Sequence, residues 1–413
     1  MVGQRIRYYR KTKGLTQEEL AQGICSVSYL SKIEKGDAKS SEEVINLLCE
    51  RLGISPEEVD NNEILEMLNE WNMMMVHRKF KDADSFFPVL NGKMKLVFEP
   101  ELLVKFELFK ARYLLINDKI PEAEEILAKV NTYHLELSKV NQFYYYSFNA
   151  FYYIFIKDYK SALRDIKKAE DLYSFIDLTV TEIGYLFYLI AVTYSNLYRI
   201  STVNQYAYKA IEIFDKEYNY SRSADCQILL GISSRRVRNY EQAIYHFNQA
   251  LKYSKPFKDD YTTGVIYHNL GFVFSCQKEH KKAIEYLLKG LDYKGSDSEN
   301  VINTYYLLSK EYYNIKDYKN SKKYLDQGIG LIKQKDEYYF HFKMLDYILT
   351  DKDIKDIEEF LSKDVIPYFE KQNIWEYLSS YSERLADIYF DQSLYKRASI
   401  YYRKANNSRK KIF

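Results

Sequence analysis

A repeat of about 40 residues covers most of the chain and restricts its fold more than any other feature. Small residues at one position of the pattern are 38 to 41 residues apart. The last gap is 77 residues, about two periods, and contains a degenerate copy of the repeat near Ile357. Repetition on this scale is typical of stacked units that each bury one face on a neighbour. The residues at this position are Ala83, Ala123, Ala162, Val203, Ala243, Ala283, Ser321 and Ala398.

A second position lies twelve residues before each of these and is small in seven of the eight copies. Small residues at both positions let two paired helices approach closely. The pattern resembles the tetratricopeptide repeat, although its period is longer than the usual ~34 residues. The resemblance implies an all-α, right-handed solenoid of eight to nine helical hairpins over residues 61–413, with a concave inner face. The residues at the second position are Trp71, Ala111, Ala150, Ala191, Gly231, Gly271, Ser309 and Ala386.

Composition supports a helical chain. The sequence has 14 Gly and 6 Pro, too few for a fold built on tight turns, while 43 Tyr and 23 Phe favour packed helix interfaces. The most apolar stretch, residues 143–156, is too short to span a bilayer, and the basic N-terminus does not look like a signal peptide. We therefore expect no membrane association. Four scattered cysteines are interpreted as free, buried thiols of a cytoplasmic protein, and no metal or cofactor is expected.

The charge is unevenly distributed. Residues 1–40 carry eight basic and four acidic side chains, a balance of +4, whereas the whole chain has a net charge of only +2. A basic head on a nearly neutral body favours contact with phosphates at one end.

The first sixty residues predict a series of short helices, over about 3–13, 16–23, 27–35 and 42–52. Thr16 and Ser41 are typical helix N-caps, and Glu19 completes a capping box with Thr16. Gly36 and Gly53 are typical C-terminal stop signals. A helix, a tight turn and a short helix with exposed polar positions is the geometry that places a recognition helix in the major groove.

The segments IRYYRKTKGLTQEELAQG and SVSYLSKIEKGDAKSSEEVINLLCERLGIS resemble the helix-turn-helix of the Cro and phage-repressor (XRE) class. The resemblance implies a five-helix DNA-binding domain over residues 1–60, in which Arg10 and Glu34 tie the first helix to the third. It implies that Gln17 anchors a phosphate, that Val27, Ser28 and Lys32 face base edges, and that Tyr29 and Lys35 lie against the DNA backbone. The alternative is a basic helical bundle with no role in DNA binding.

The likeness to tetratricopeptide repeats also implies which residues face the concave groove. Asn, Arg, Lys, Tyr and His side chains can bind peptide amides, a carboxylate and apolar side chains. A short peptide in extended form is therefore predicted along the fourth to seventh hairpins, although an ordinary hydrated surface is the alternative. The predicted peptide-binding residues are Tyr185, Tyr188, Asn196, Asp225, Arg235, Arg236, His268, Asn269, Asn303, Tyr306, Lys310 and Asn314.

Together, the two parts resemble the peptide-pheromone receptors of Gram-positive bacteria, the RRNPP family of PlcR, NprR and PrgX type. This resemblance implies a cytoplasmic transcription regulator that acts as a homodimer on double-stranded, palindromic DNA and is controlled by a short signalling peptide, as in quorum sensing. A prophage-type repressor and a tetratricopeptide adaptor without a peptide ligand are the alternatives. An enzyme is not expected, because the six histidines form no HExxH motif and the chain has neither a Gly-rich phosphate loop nor a GxSxG motif.

Overall fold

The computed structural model describes residues 2–37, 40–54, 60–256, 258–294 and 301–412, and over these ranges the regular structure is helical. The all-α class is therefore confirmed. The chain divides into two compact units, Met1–Leu178 and Thr179–Phe413. Among the described helices, none combines the length and the apolar character needed to cross a bilayer.

Four short helices form the head of the first unit. The predicted capping box is present: the Thr16 hydroxyl accepts from the Glu19 amide at 3.1 Å, and the Thr16 amide donates to the Glu19 carboxylate at 2.6 Å. Gly36 and Gly53 end helices in the left-handed conformation, as expected. The second helix ends two residues earlier than predicted. The four are α1 (Val2–Thr12), α2 (Gln17–Ala21), α3 (Val27–Lys35) and α4 (Glu42–Leu52).

The head has its own core, since Ile6, Leu20, Leu30, Leu48 and Leu52 are fully buried against one another. Apolar side chains from all four helices meet there. The four helices therefore share one core.

Three helical hairpins complete the first unit. A fifth helix, α5, begins just past the predicted domain boundary at residue 60 and packs against α6. The helices are α5 (Asn61–Val76), α6 (Phe80–Met94), α7 (Pro100–Ile116), α8 (Ile120–Asn131), α9 (Lys139–Phe155) and α10 (Tyr159–Leu172).

Phe98, between α6 and α7, joins the head to these hairpins. The guanidinium of Arg5 lies 4.8 Å from the centre of the Phe98 ring, and the Tyr9 ring meets it edge-on at 5.1 Å. Tyr8 contacts the same ring at 6.1 Å. One aromatic side chain therefore receives three contacts from α1.

The second unit continues the hairpin pattern as far as the C-terminus. A π-helical turn, Leu361–Val365, joins α20 to α21 in the degenerate copy of the repeat. The helices are α11 (Val180–Asn196), α12 (Ile200–Lys216), α13 (Tyr220–Arg236), α14 (Tyr240–Ser254), α15 (Asp260–Cys276), α16 (His280–Lys294), α17 (Ile302–Asn314), α18 (Tyr318–Ile329), α19 (Glu337–Leu349), α20 (Ile354–Phe360), α21 (Ile366–Lys371), α22 (Trp375–Asp391) and α23 (Tyr395–Arg409).

The two repeat positions are the points of closest helix approach, as predicted. A Cβ atom on Gly231 would stand 2.5 Å from the Phe247 ring, which is closer than real contacts allow. At the equivalent contact of a later hairpin, the hydroxyls of Ser309 and Ser321 each donate to the other residue's carbonyl oxygen at 2.8 Å. The small residues are therefore required by packing.

The turn inside each hairpin uses a residue in the left-handed backbone conformation, two positions after the first helix ends. At Arg238 the amide donates to the Arg235 carbonyl at 2.9 Å, and the next amide donates to Ser234 at 2.9 Å, which is the Schellman arrangement. Glycine is the usual residue at such a position, and this chain uses it at none of these turns. The residues are Arg78, Asp118, Lys157, Tyr198, Arg238, Lys278, Lys316, Asp351 and Ser393, with φ from 49° to 64°.

The four cysteines fit the predicted burial only in part. Cys49 and Cys226 are buried, whereas Cys25 and Cys276 are partly exposed.

Candidate functional site

The third helix presents most of the predicted DNA-binding residues to solvent. Val27, Ser28, Lys32 and Lys35 are exposed, and Tyr29 is half-buried at the edge of the head core. The helix begins where the Ser26 hydroxyl accepts from the Tyr29 amide at 3.2 Å. The exposed residues lie outside the head core, so they are available to a partner.

The predicted tie between α1 and α3 is confirmed. Arg10 donates from Nε and Nη2 to the two carboxylate oxygens of Glu34, at 2.6 and 3.0 Å, and from Nη1 to the Leu15 carbonyl at 2.8 Å. Burial raises the pKa of Glu34, but the hydrogen bonds from Arg10 and Gln17 outweigh it, so the pKa lies below its ordinary value. The carboxylate is therefore charged at neutral pH.

Gln17, at the start of α2, lines a basic cleft of about 440 Å³. Its side-chain amide donates to Glu34 at 2.7 Å, which fixes the side chain beside the first turn of the helix. Arg7, Lys11 and Lys35 line the same cleft. Cations and a helix N-terminus together favour a phosphate. The sequence analysis did not predict Arg7 and Lys11 as DNA-binding residues, although both are among the basic side chains of residues 1–40.

Half of the predicted peptide-binding residues meet in one cavity of about 470 Å³ in the second unit. Its walls come from the first helices of successive hairpins, α13, α15, α17 and α19, with Tyr377 of α22 added. The predicted residues that line it are Arg235, Arg236, His268, Asn269, Asn303 and Tyr306.

Both arginines are held by the protein. Arg235, only 7% exposed, donates to the carboxylate of Glu376 at 2.6 Å and lies over the Phe272 ring at 4.2 Å. Arg236 donates to the carbonyl and hydroxyl oxygens of Ser195 and lies 4.5 Å over the Tyr198 ring. Burial raises the pKa of Tyr198 to about 12. The cavity thus has a fixed cationic wall.

Imidazole and amide groups on α15 and α17 also line the cavity. His268 lies 2.9 Å from the Thr304 hydroxyl through Nδ1, and Asn269 donates to the Val265 carbonyl of its own helix at 2.9 Å. Asn303 and Tyr306 follow on α17. Amide and imidazole groups of this kind can bind peptide backbone.

A buried cluster of aromatic side chains around His341 packs against Tyr306, which lines the cavity. The His341 ring stacks on Tyr306 at 4.7 Å, and its Nδ1 lies 2.6 Å from the Tyr381 hydroxyl. Burial lowers the pKa of His341, so the ring is neutral at neutral pH. This cluster holds the Tyr306 ring in place.

Three other predicted residues form a separate cluster around Arg222, which sequence reasoning missed. The guanidinium lies 5.1 Å over the Tyr185 ring and 5.4 Å over the Tyr188 ring, and it pairs with Asp225 at 3.0 Å. Burial and the Asp225 charge raise the pKa of Tyr188. This cluster lies on α11 and α13.

The remaining three predicted residues do not line the cavity. Asn196 donates to the Val192 carbonyl of its own helix at 3.0 Å, Lys310 is half-buried, and Asn314 is exposed. The predicted peptide-binding residues therefore do not all meet in this cavity.

The cavity also contains residues that the repeat pattern did not assign, notably Phe272, Tyr338 and Tyr377. Tyr338 and Tyr377 lie on α19 and α22, where the 40-residue spacing breaks down, so position in the repeat could not place them. Phe272 follows Gly271, and its side chain could have been found from helix phase.

A larger cavity, about 710 Å³, lies in the first unit between α8, α9 and α10. One of its two acidic residues, Asp165, accepts hydrogen bonds from Asn149 at 2.6 Å and from Arg164 at 2.8 Å, and Glu124 is the other. It contains none of the predicted residues. We therefore place the candidate ligand site in the second unit.

The fold and these two sites define a helix-turn-helix regulator with tetratricopeptide repeats. Residues 6–59 match the helix-turn-helix family model, and residues 227–294 and 302–335 match tetratricopeptide repeat models. The chain is 35% identical over 394 residues to the transcriptional activator NprA of Geobacillus stearothermophilus, covering 93% of this chain and 97% of that protein. The chain belongs to the NprA family and is an RRNPP-type transcription regulator.

Two solved structures share the fold. One is a Rap protein complexed with Competence and Sporulation Factor, with a TM-score of 0.75 at 19% identity, covering 85% of this chain and 99% of that one. The other is NprR in complex with its cognate peptide NprX, with a TM-score of 0.68 at 22% identity, covering 85% and 99%.

Proposed function

We propose that this protein is a cytoplasmic transcription regulator that binds a palindromic operator as a homodimer and is controlled by a short signalling peptide. The observation that carries the proposal is the meeting of six predicted residues in one cavity of a chain that also has a helix-turn-helix head. NprA is a transcriptional activator, and NprR has been solved with a cognate peptide, which supports the same function here.

The cavity is chemically suited to an extended peptide. Such a peptide exposes its backbone amides and carbonyls, which Asn269, Asn303 and His268 can bind without requiring one sequence. Arg235 and Arg236 supply positive charge for a carboxylate, and the tyrosines supply apolar walls. We propose a peptide of about five to ten residues that also extends toward Tyr185 and Tyr188.

Two copies of the helix-turn-helix head can bind an operator whose two half-sites are related by two-fold symmetry. One helix-turn-helix contacts few base pairs, so these domains bind as dimers to two half-sites about one helical turn apart. We propose base contacts from Val27, Ser28 and Lys32 of α3, and phosphate contacts from Gln17, Tyr29 and Lys35, joined by Arg7 and Lys11 of the cleft.

Selection of genomic DNA fragments by the full-length protein at low salt tests the DNA function. We expect enrichment of a sequence with two-fold symmetry. This enrichment should disappear as the salt concentration rises, because binding releases counterions from the DNA phosphates and high salt opposes that release. Retention of no fragment above the background of a Lys32→Ala, Lys35→Ala double variant would contradict the proposal.

The two alternatives make different predictions. A prophage-type repressor would bind the operator and release it on contact with an antirepressor protein, without a peptide in the cavity. An adaptor would bind no specific DNA. We also propose that the protein is not an enzyme, which the similarity to a transcriptional activator over nearly the whole chain supports.

A further inference from the structure

The ion pair between Arg235 and Glu376 joins residues 141 positions apart in the second unit. Arg235 is near the end of α13, and Glu376 is in the first turn of α22, the first helix of the last hairpin. The next residue of α22, Tyr377, lines the same cavity as Arg235. A carboxylate of the protein itself is therefore bound at the cationic wall of the cavity.

The two partners differ in how firmly they are held. The Arg235 side chain is 7% exposed and is packed on the Phe272 ring, whereas the Glu376 side chain is 30% exposed. Arg235 is part of the wall, and Glu376 can turn toward water without leaving a cavity in the core. Burial raises the pKa of Glu376, but the charges of Arg235 and Arg236 outweigh it and lower the pKa, so Glu376 is ionised.

An arginine in such a place binds any carboxylate that offers the same two-oxygen geometry. We propose that Glu376 occupies the ligand's carboxylate site on Arg235, and that a ligand binds by bringing a carboxylate of its own that displaces Glu376. This inference rests on the proposed peptide function and adds to it the chemical group that the cavity selects. The carboxylate can be the peptide's C-terminus or an acidic side chain.

Displacement has a consequence for the fold. The ion pair of Glu376 with Arg235 ties the start of α22 to α13, so we expect its release to loosen that end of α22. Contacts further along α22, such as the buried pair of His341 and Tyr381, involve neither partner of the ion pair. Binding of the ligand is thereby coupled to the position of the last hairpin.

The coupling predicts a penalty on binding. A ligand must compete with Glu376 for Arg235. Its apparent affinity is therefore the intrinsic affinity multiplied by the fraction of molecules in which Arg235 is not paired with Glu376. Removing the charge of Glu376 removes the competitor and leaves Arg235 in place. Glu376→Gln should therefore bind a carboxylate ligand more tightly than the wild type does, which is opposite to the usual effect of altering a binding-site residue.

The test compares the wild type with Glu376→Gln, Arg235→Gln and a control, Glu370→Gln. Glu370 pairs with Lys404 on an exposed surface in the same part of the chain. Hydrogen exchange of the full-length proteins is measured without ligand. We expect faster exchange at the start of α22 in the first two variants only. Unchanged exchange in Glu376→Gln would overturn the proposal that this pair holds the hairpin.

The second arm uses four pools of random heptapeptides, with free-acid or amidated C-termini and with or without Asp and Glu. We expect the wild type to retain only peptides that carry a carboxylate, Glu376→Gln to bind them about tenfold more tightly, and Arg235→Gln to lose this preference. The pool that is retained identifies the source of the carboxylate.

Two negative outcomes are distinct. Equal retention of carboxylate and carboxylate-free pools, with no gain in Glu376→Gln, would overturn this inference and leave the peptide function standing. Failure of every variant to retain any pool would contradict the peptide function itself.

Discussion

Arg10 and Glu34 form a two-point ion pair inside the head, with only 10% and 2% of their side chains exposed. The pair joins α1 to α3 and also positions Gln17, which donates to the same carboxylate. The geometry of the recognition helix therefore depends on a buried charge.

Removing one partner of this pair should destabilise the head strongly. Glu34→Gln leaves the buried Arg10 without a counter-charge, which we expect to lower the free energy of unfolding of the head by about 3–5 kcal/mol. The exposed Glu50→Gln is the control and should change it by less than about 0.5 kcal/mol. Denaturant unfolding of residues 1–60, followed by circular dichroism, gives both values; equal effects would contradict the buried role of the pair.

The same pair predicts a pH dependence. The pKa of Glu34 is lowered in the folded head, so its contribution is complete above the ordinary value of 4.5 and is lost as the pH falls through the lower folded value. Melting temperatures from pH 7 down to pH 3 should fall more steeply for the wild type than for Glu34→Gln. Parallel curves would show that Glu34 does not carry this dependence.

Residues of α2 and α3 predict separable effects on DNA. Lys32→Ala should reduce discrimination between operator and random DNA by about 1–3 kcal/mol for each base that Lys32 no longer reads, whereas Gln17→Ala should weaken all sequences alike. Gel shifts at several salt concentrations measure both. Lys129→Ala, exposed on α8, is the control. If Lys32→Ala weakens operator and random DNA equally, Lys32 binds a phosphate instead.

Close packing at the repeat position predicts a stability difference between two glycines. Gly231→Ala places a Cβ atom 2.5 Å from the Phe247 ring and should destabilise the second unit by about 1–3 kcal/mol. At Gly92, also in a helix, an added Cβ atom would have no neighbouring atom within 4 Å, so Gly92→Ala should stabilise the first unit by up to about 1 kcal/mol. Thermal unfolding of both variants measures the two effects. A neutral Gly231→Ala would mean that the ring can move aside.

The hairpin turns predict a stabilising substitution. Arg238 has φ of 61°, a conformation that glycine adopts without strain, so Arg238→Gly should raise the free energy of unfolding by up to about 1 kcal/mol. Lys252→Gly, at an exposed helix position, should instead lower it by about 1 kcal/mol. Denaturant unfolding of the full-length protein measures both; destabilisation by Arg238→Gly would show that its side chain contributes more than the strain costs.

The sequence predicted those parts of the fold that depend on local chemistry and a fixed period. The caps at Thr16 and Ser41 and the close approach at Gly231 follow from short patterns, whereas the Arg10–Glu34 pair was implied by the resemblance to the Cro and phage-repressor class. Six of the predicted peptide-binding residues line one cavity, because the repeat fixes their helix phase. Their assignment to a peptide stays a prediction.

The remaining features depend on contacts that no period encodes. The pairing of Arg235 with Glu376 spans 141 residues and involves a helix outside the regular spacing. The cation–π cluster of Arg222 depends on the rotation of α13 against α11. The left-handed turns at Arg238 and its equivalents were hidden because none of them is a glycine.

Mass spectrometry of peptides that copurify with the full-length protein tests the central claim most directly. We predict that the wild type retains a peptide of about five to ten residues bearing a carboxylate, and that an Asn269→Ala, Asn303→Ala double variant loses it while remaining folded and able to bind DNA at low salt. Retention of the same peptide by the double variant, or of no peptide by the wild type purified from its own cells, would contradict the account.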